Sequence, residues 1–323
     1  MTPATDNAPE RPAGRLVFVV GCTASGKGAL GRALARRVGG RIVSVDSMKV
    51  YRRMDIGTAK PSAEARGRIR HYCIDVVEPS ETYSAAQFVA DADRGIAETR
   101  AAGAVPLAVG GTSLYIKALA EGLFEGPSAD PAIRRRLREC SRAEGPRALH
   151  AELARVDAEA AARIHPNDEK RLIRALEVFE ASGTPISELQ RQWDAGRRRY
   201  DCVFLGVRRG REDQARRINA RAKRMVEAGL REEVAALLSE PGGLSATAAA
   251  AVGYAEMIDH LRGKCTLDEA LERIKINTRR LAKKQRTWQR RWRDVRWLDV
   301  GAEDTAESVA KSVLREIDLT GEA

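Results

Sequence analysis

The residues best suited to chemistry come early in the chain. Gly21-Cys-Thr-Ala-Ser-Gly-Lys27 has the Gly-x4-Gly-Lys spacing. In that spacing the glycines let backbone N–H groups curl around an anion, and the lysine adds a point charge. An apolar run from Leu16 to Val20 leads into it, and a helical pattern (Ala29, Leu30, Leu34) follows, so an anion would meet a helix N-terminus. Phosphate binding is the chemistry this context serves; an ordinary Gly-rich turn is the bland alternative. Position 28, where Ser or Thr normally offers an oxygen to Mg²⁺, is Gly28. Two further candidates close apolar runs: Asp46 after Arg41-Ile-Val-Ser-Val, and Thr112 after Val105-Pro-Leu-Ala-Val-Gly-Gly111. Asp46 reads either as a ligand-facing acid or as the cap of a turn with Ser47. Thr112 could donate to an oxyanion. No Asp closes its strand, which counts against ATP hydrolysis.

Those positions need strands with their carboxyl ends on one edge of a parallel sheet. The runs at Leu16, Arg41, Tyr72–Val76, Val105–Val109, Cys202–Val207 and Val295–Asp299 supply candidates, and Gly31–Val38 and Ala85–Ala102 read as helices between them. From Pro127 to Leu189 the chain is Arg-rich, Pro-punctuated and nearly strand-free, an expected helical insertion that rejoins through the linker at residues 196–200. Lys170, Arg171 and Arg174 share one helix surface there, which a solvated face normally explains. The last third reads as helices over Arg211–Leu238, Gly253–Leu261 and Leu267–Trp292. From Arg273 to Arg296 there are eleven Lys/Arg against one acid, Asp294. Ile274, Leu281, Trp288 and Trp292 are spaced for one apolar helix face, leaving a basic outer face suited to a nucleic-acid backbone. The expected organisation is a polar disordered tail (1–14), an α/β core (15–122), a helical insertion (123–197), and core completion with basic C-terminal helices (198–323).

Bulk properties narrow the class. A chain of 323 residues with 43% hydrophobic content can bury a substantial core. No apolar run approaches the ~20 residues that span a bilayer. The five cysteines (Cys22, Cys73, Cys140, Cys202, Cys265) are scattered without C-x-x-C spacing, which points to a reducing compartment and away from a zinc site. A net charge of +11 suits a polyanionic partner.

From Leu16 to Leu298 the chain resembles the tRNA dimethylallyltransferase (isopentenyltransferase) family. The resemblance rests on GCTASGK at Gly21–Lys27, DSMKVYRRMDIGTAKP at Asp46–Pro61, EPSETYSAAQF at Glu78–Phe88 and AVGGTSLYIKAL at Ala108–Leu119. It continues through PSADP at Pro127–Pro131, HPNDEKRLIRALEV at His165–Val178, INARAKRMVEAGLREEV from Ile218, GYAE at Gly253–Glu256 and IKINTRRLAKKQRTWQRRW at Ile274–Trp292. It implies a P-loop-type parallel α/β core with a helical insertion. The implied activity is transfer of a dimethylallyl group from its diphosphate to N6 of the adenosine 3′ of a tRNA anticodon, in the cytoplasm, by a monomer using Mg²⁺. It further implies Asp46, Thr112 and Arg221 as catalytic groups, and Gly21, Thr23, Ala24, Ser25, Gly26 and Lys27 around the diphosphate. RNA contacts are implied at Asp46, Ser47, Met48, Lys49, Thr112, Arg134, Lys170, Arg171, Arg174, Gly253 and Tyr254, and from Lys283, Lys284, Gln285, Arg286, Thr287 and Trp288 to Arg290. The chain departs from the family pattern at Gly28, at Lys49 (usually Gln), at Arg53 (usually Gly) and at Ala255 (usually basic). Alternatives are a transferase acting on free adenylate, a P-loop kinase, and an RNA-binding homologue without catalysis.

Overall fold

The computed structural model describes residues 15–191 and 198–319. The expected 1–14 tail and residues 196–197 of the linker lie outside the described residues. In chain order the elements are β1 (Leu16–Gly21), α1 (Lys27–Arg37), β2 (Arg41–Val45), α2 (Ala63–Arg66), β3 (His71–Tyr72), α3 (Ala85–Ala101), β4 (Pro106–Gly110) and α4 (Ser113–Glu121). Next come α5 (Pro131–Glu144), α6 (Pro146–Val156), α7 (Ala158–Arg163), α8 (Glu169–Ser182) and α9 (Ile186–Gln190). The chain then runs through β5 (Cys202–Arg208), α10 (Arg211–Glu227), α11 (Leu230–Ser239), α12 (Ala246–Ala249), α13 (Tyr254–Leu261), α14 (Leu267–Gln289), β6 (Val295–Asp299) and α15 (Ala306–Glu316).

All six strands are parallel, in the order β3-β2-β4-β1-β5-β6. β1 reads as an uninterrupted apolar run because it is central and buried along its whole length between β4 and β5. On one face Phe18 stacks on Phe204 with centroids 4.5 Å apart, and Phe88 of α3 stacks on Tyr115 of α4 at 4.1 Å. On the other face α1 and α15 bury Leu30, Leu34, Ala310 and Val313 against Val17, Val19 and Leu205. A third core joins Val50, Tyr51 and Met54 of the β2–β3 connection to Leu230, Met257 and Ile274 of α11, α13 and α14.

The described chain divides into two compact units: Met1–Ala120 with Arg199–Ala323, and Glu121–Arg198. The second unit holds α5 to α9 around Leu137, Leu149, Leu153, Leu172 and Leu176. Asp130 caps α5 by accepting from Ala132 N and Ile133 N, with Pro131 in the first turn, where its missing N–H costs nothing.

Three expectations are corrected. The Tyr72–Val76 strand stops at Tyr72, because Cys73 and Asp75 take left-handed φ of 57° and 55°, and Asp75 is pulled into ion pairs with Lys60 (2.6 Å) and Arg66 (3.3 Å). The helix over Arg211–Leu238 is broken at Gly229 (φ 95°) into α10 and α11. On α14 the buried positions are Ala270, Ile274, Thr278, Ala282 and Gln289, while Leu281 is 39% exposed and Trp288 half-buried. Steps of four advance the stripe by about 40° each, so the buried face rotates away from Leu281 as the helix leaves α13 and reaches β1 and its loop.

Candidate active site

The carboxyl ends of β1, β2 and β4 place the loop Cys22–Gly26, Asp46 and Gly111–Thr112 on one sheet edge. Within the loop Ala24 and Gly26 take left-handed φ of 63° and 98°. Alternating handedness turns successive N–H groups inward as an anion-binding concavity, at a cost of about 1 kcal/mol for the alanine. Every carbonyl from Cys22 to Ser25 is tied outward by a side chain. Lys27 Nζ donates to Cys22 O (3.1 Å), Gln214 Nε2 to Thr23 O (3.0 Å), Arg217 Nε to Ala24 O (3.1 Å) and Arg209 Nε to Ser25 O (2.9 Å). With the carbonyls held back, Ala24 N, Gly26 N and Gly28 N keep no acceptor among the described residues. Gly21 has to be glycine: a Cβ there would lie 2.7 Å from both Ser25 Oγ and Val207 O.

Cations converge on this concavity. Arg221 of α10 donates to Thr23 Oγ1. Lys27 is pushed down to about 8, first by desolvation and then by the positive charges of Lys49 and Arg221, with Asp46 opposing. Lys49 and Arg221 are likewise lowered, mainly by burial. Half-buried cations that disfavour one another are stabilised when a polyanion arrives. Among them Asp46 uses Oδ1 to accept from Met48 N (3.0 Å) and Lys49 N (3.4 Å), so it does cap its own turn. Its Oδ2 has no hydrogen-bond partner among the described residues. Thr112 Oγ1 accepts from Ser47 N (3.1 Å) and lies 3.4 Å from Ser47 Oγ, which joins the two strand ends. A Cβ on Gly110 would collide with the backbone of Val45, so glycine there lets β4 close on β2.

These residues do not build a magnesium site by themselves. Gly28 has no side-chain oxygen and Thr23 Oγ1 is taken by Arg221. No group of three His, Cys, Asp or Glu side chains comes together among the described residues.

The structure separates the other RNA-contact candidates. Lys283, Lys284, Thr287 and Arg290 are exposed on α14, and none of the three basic residues forms an ion pair among the described residues. Trp288 is half-buried under Arg291, 5.6 Å from its ring centroid. Gln285 and Arg286 point inward: Gln285 bonds the phosphate loop and Arg286 donates to Gln214. Lys170 and Arg171 are exposed in the second unit, whereas Arg134 and Arg174 clamp Glu177, which is fully buried, at 2.8 and 2.7 Å. Tyr254 is fully buried and donates to Glu233 Oε1 (2.6 Å), and Gly253 is buried with its N–H on Glu256. Neither reaches the surface to touch RNA; they pack the connection that carries Asp46. Sequence reasoning missed Arg209, just before α10, and Gln214 and Arg217 in its first turns, whose irregular spacing carried no signal.

Fold and site together define a phosphate-loop-type α/β protein with an N–H concavity beside a carboxylate. The profile of the IPP transferase family matches residues 49–292, and the chain belongs to that family. A tRNA dimethylallyltransferase from Geobacter sulfurreducens is 46% identical over 297 residues, 92% of this chain and 96% of that one. One from Anaeromyxobacter dehalogenans is 47% identical over 88% of this chain and 94% of its own. Among solved structures, the tRNA isopentenylpyrophosphate transferase of Bacillus halodurans is 38% identical with a TM-score of 0.68, covering 93% of this chain and 96% of that one. A eukaryotic dimethylallyltransferase acting on tRNA is 25% identical with a TM-score of 0.77, covering 93% of this chain and 78% of that one.

Proposed function

We propose that this protein transfers a dimethylallyl group from dimethylallyl diphosphate to N6 of the adenosine immediately 3′ of a tRNA anticodon. The observation that carries the reading is the pairing of a pre-shaped N–H concavity, ringed by Lys27, Lys49 and Arg221, with a single carboxylate, Asp46, that keeps one oxygen free. In the reaction the C1–O bond to the diphosphate breaks and a C1–N6 bond forms. The amine proton passes to Asp46 Oδ2, and the charge left on pyrophosphate is met by the loop N–H groups, Lys27 and Arg221. Thr112 stands beside Ser47 at the strand ends, where it can hold the acceptor base or a phosphate oxygen. Magnesium would arrive as the counter-ion of the diphosphate rather than on side-chain ligands. The base must leave its stack to reach the carboxylate.

The acceptor is a polynucleotide rather than free adenylate because Lys283, Lys284 and Arg290 line an unpaired basic face that a single nucleotide would not need. Lys170 and Arg171 extend the same reading to the second unit, 123–197 in the expected partition. The protein acts as a monomer in the cytoplasm, where its substrate is. Among the described residues no helix is long and apolar enough to cross a membrane.

The test is to incubate purified protein with dimethylallyl diphosphate and either unmodified tRNA or AMP. The products are then digested and N6-dimethylallyladenosine is sought by mass spectrometry. Product from tRNA alone is expected. Product from AMP alone would move the assignment to adenylate transfer, and none from either would leave RNA binding without catalysis.

A further inference from the structure

Gln285 sits where two glycine-bearing loops meet. Its Oε1 accepts from Thr23 N at 2.8 Å and its Nε2 donates to Gly111 O at 3.0 Å. A backbone N–H can only donate and a carbonyl can only accept, so both halves of the amide are used and its orientation is fixed. Gly111 permits the approach, because a Cβ there would lie 2.9 Å from Gln285 Nε2 and from Gly21 O.

The rest of the Thr23 peptide is also held from helices. Gln214 donates to Thr23 O (3.0 Å) and is itself oriented by Arg286, the next residue of α14. One turn on, the buried Gln289 accepts from Cys22 Sγ at 3.5 Å. Along one inward edge of α14, Gln285 and Gln289 hold residues 23 and 22 directly, and Arg286 reaches Thr23 through Gln214. Lys283, Lys284, Thr287 and Arg290 face outward on the same two turns. One rigid element thus carries the basic surface on one side and the shape of the phosphate concavity on the other.

We propose that Gln285 is a positioning residue through which polyanion binding on the outer face of α14 tightens diphosphate binding in the loop. A ligand seated on Lys283, Lys284 and Arg290 orders α14. The ordered helix holds Thr23 N–H and Gly111 O in register, and the free N–H groups of Ala24, Gly26 and Gly28 then meet the diphosphate with less conformational freedom left to lose. The inference rests on the functional reading above, that the loop takes a diphosphate and α14 takes RNA.

Titration calorimetry with inorganic pyrophosphate, with and without a saturating anticodon stem-loop RNA, tests it. In the wild-type protein the RNA is expected to tighten pyrophosphate binding fivefold or more, within the usual range of coupling between sites. In Gln285→Met, similar in length but unable to make either bond, the ratio of the two affinities should fall to within twofold of one. A simple loss of folded protein lowers the number of binding sites but leaves that ratio intact. A Met variant that keeps the wild-type ratio, or a wild-type ratio of one, overturns the proposal. Hydrogen exchange of the wild-type segment 22–26 gives a second reading that needs no variant: RNA alone, without pyrophosphate, should slow it, and unchanged exchange overturns the strap. Failure of either ligand to bind refutes the functional reading itself, whereas two ligands that bind without coupling refute only the role of Gln285.

Discussion

Asp46 caps its own turn through Oδ1, one of the two readings open in the sequence, and its Oδ2, without a partner among the described residues, is the oxygen the proposed reaction would use as base. Asp46→Asn keeps an oxygen for the turn and removes the base. Turnover should fall on the order of 10²–10⁴-fold with RNA affinity unchanged, measured by single-turnover prenylation; near-wild-type turnover would take Asp46 out of the mechanism. Lys27 gives a pH signature. Its ordinary value of 10.5 is pushed down to about 8, so pyrophosphate should bind more weakly to the free protein as pH rises through 8, and binding above that pH should take up a proton. The effect on stability has the opposite sense. Between about 8 and 10.5 the unfolded chain holds a proton that the folded chain has released, so the penalty at this site is complete below pH 8 and relieved as pH rises. Calorimetry across pH 7–10 in buffers of differing ionisation enthalpy reads the uptake, and a flat affinity would contradict it. At position 28 glycine leaves the first turn of α1 without an oxygen for metal. Gly28→Thr should lower the magnesium concentration that gives half-maximal transfer; the same magnesium curve would mean that glycine serves backbone approach instead. The loop, Asp46 and Thr112 were legible because spacing after apolar runs reports strand ends. The outward ties from Arg209, Gln214 and Arg217 were not, since they depend on α10 lying against a loop almost two hundred positions earlier in the chain.

At the scale of elements, β1, β2, β4, β5 and β6 and the long helices were readable from apolar runs and caps, because buried parallel strands and capped helices leave local patterns. What was not readable depended on partners distant in sequence. β3 is cut short by the left-handed residues Cys73 and Asp75, and the ion pairs holding Asp75 come from Lys60 and Arg66. On α14 a strict seven-residue spacing pointed to Leu281, but the helix changes neighbours along its length and buries Ala282 instead. In the second unit, the basic surface expected of α8 splits in two. Lys170 and Arg171 stay in solvent, while Arg174 joins Arg134 on the buried Glu177, which also accepts from Asp130 N (2.7 Å) and so holds the start of α5 to α8. Desolvation raises the Glu177 carboxyl, but the two guanidinium groups and the backbone N–H outweigh it and hold it below the ordinary value. Glu177→Ala leaves two arginines and the Asp130 N–H without their acceptor. It should cost about 3 kcal/mol, the low end for breaking a buried pair because both arginines are about a third exposed. Thermal unfolding checks this, and a loss under about 1 kcal/mol would make the cluster incidental.

For the whole molecule, a formal charge of +11 says little about where a polyanion binds, because many surface arginines are already paired with carboxylates. Arg36 and Arg37 pair with Glu307, Arg53 with Glu78 and Glu240, Arg208 with Asp299, and Arg136 with Glu180. Exposed pairs of this kind contribute little stability each, but they cancel the field locally. The first part of α14 follows the same rule, with Lys275 on Glu272 and Arg273 near Asp259. Past Lys275 no basic residue of α14 forms an ion pair among the described residues, and Lys283, Lys284 and the adjoining Arg290 stand exposed on and beside the helix whose inner edge shapes the phosphate loop. Neutralising these three together should therefore weaken tRNA binding for all sequences alike. The slope of log K against log salt should flatten by about 0.7–0.9 for each RNA phosphate that is no longer neutralised. Arg286 is left out of the set because its guanidinium holds Gln214, and its loss would disturb the loop rather than report on the surface. Neutralising Arg36, Arg37 and Arg208, which are paired, should leave the slope unchanged. Equal slopes for both triple variants would assign RNA recognition to another surface, with the exposed Lys170 and Arg171 of the second unit as the next residues to neutralise.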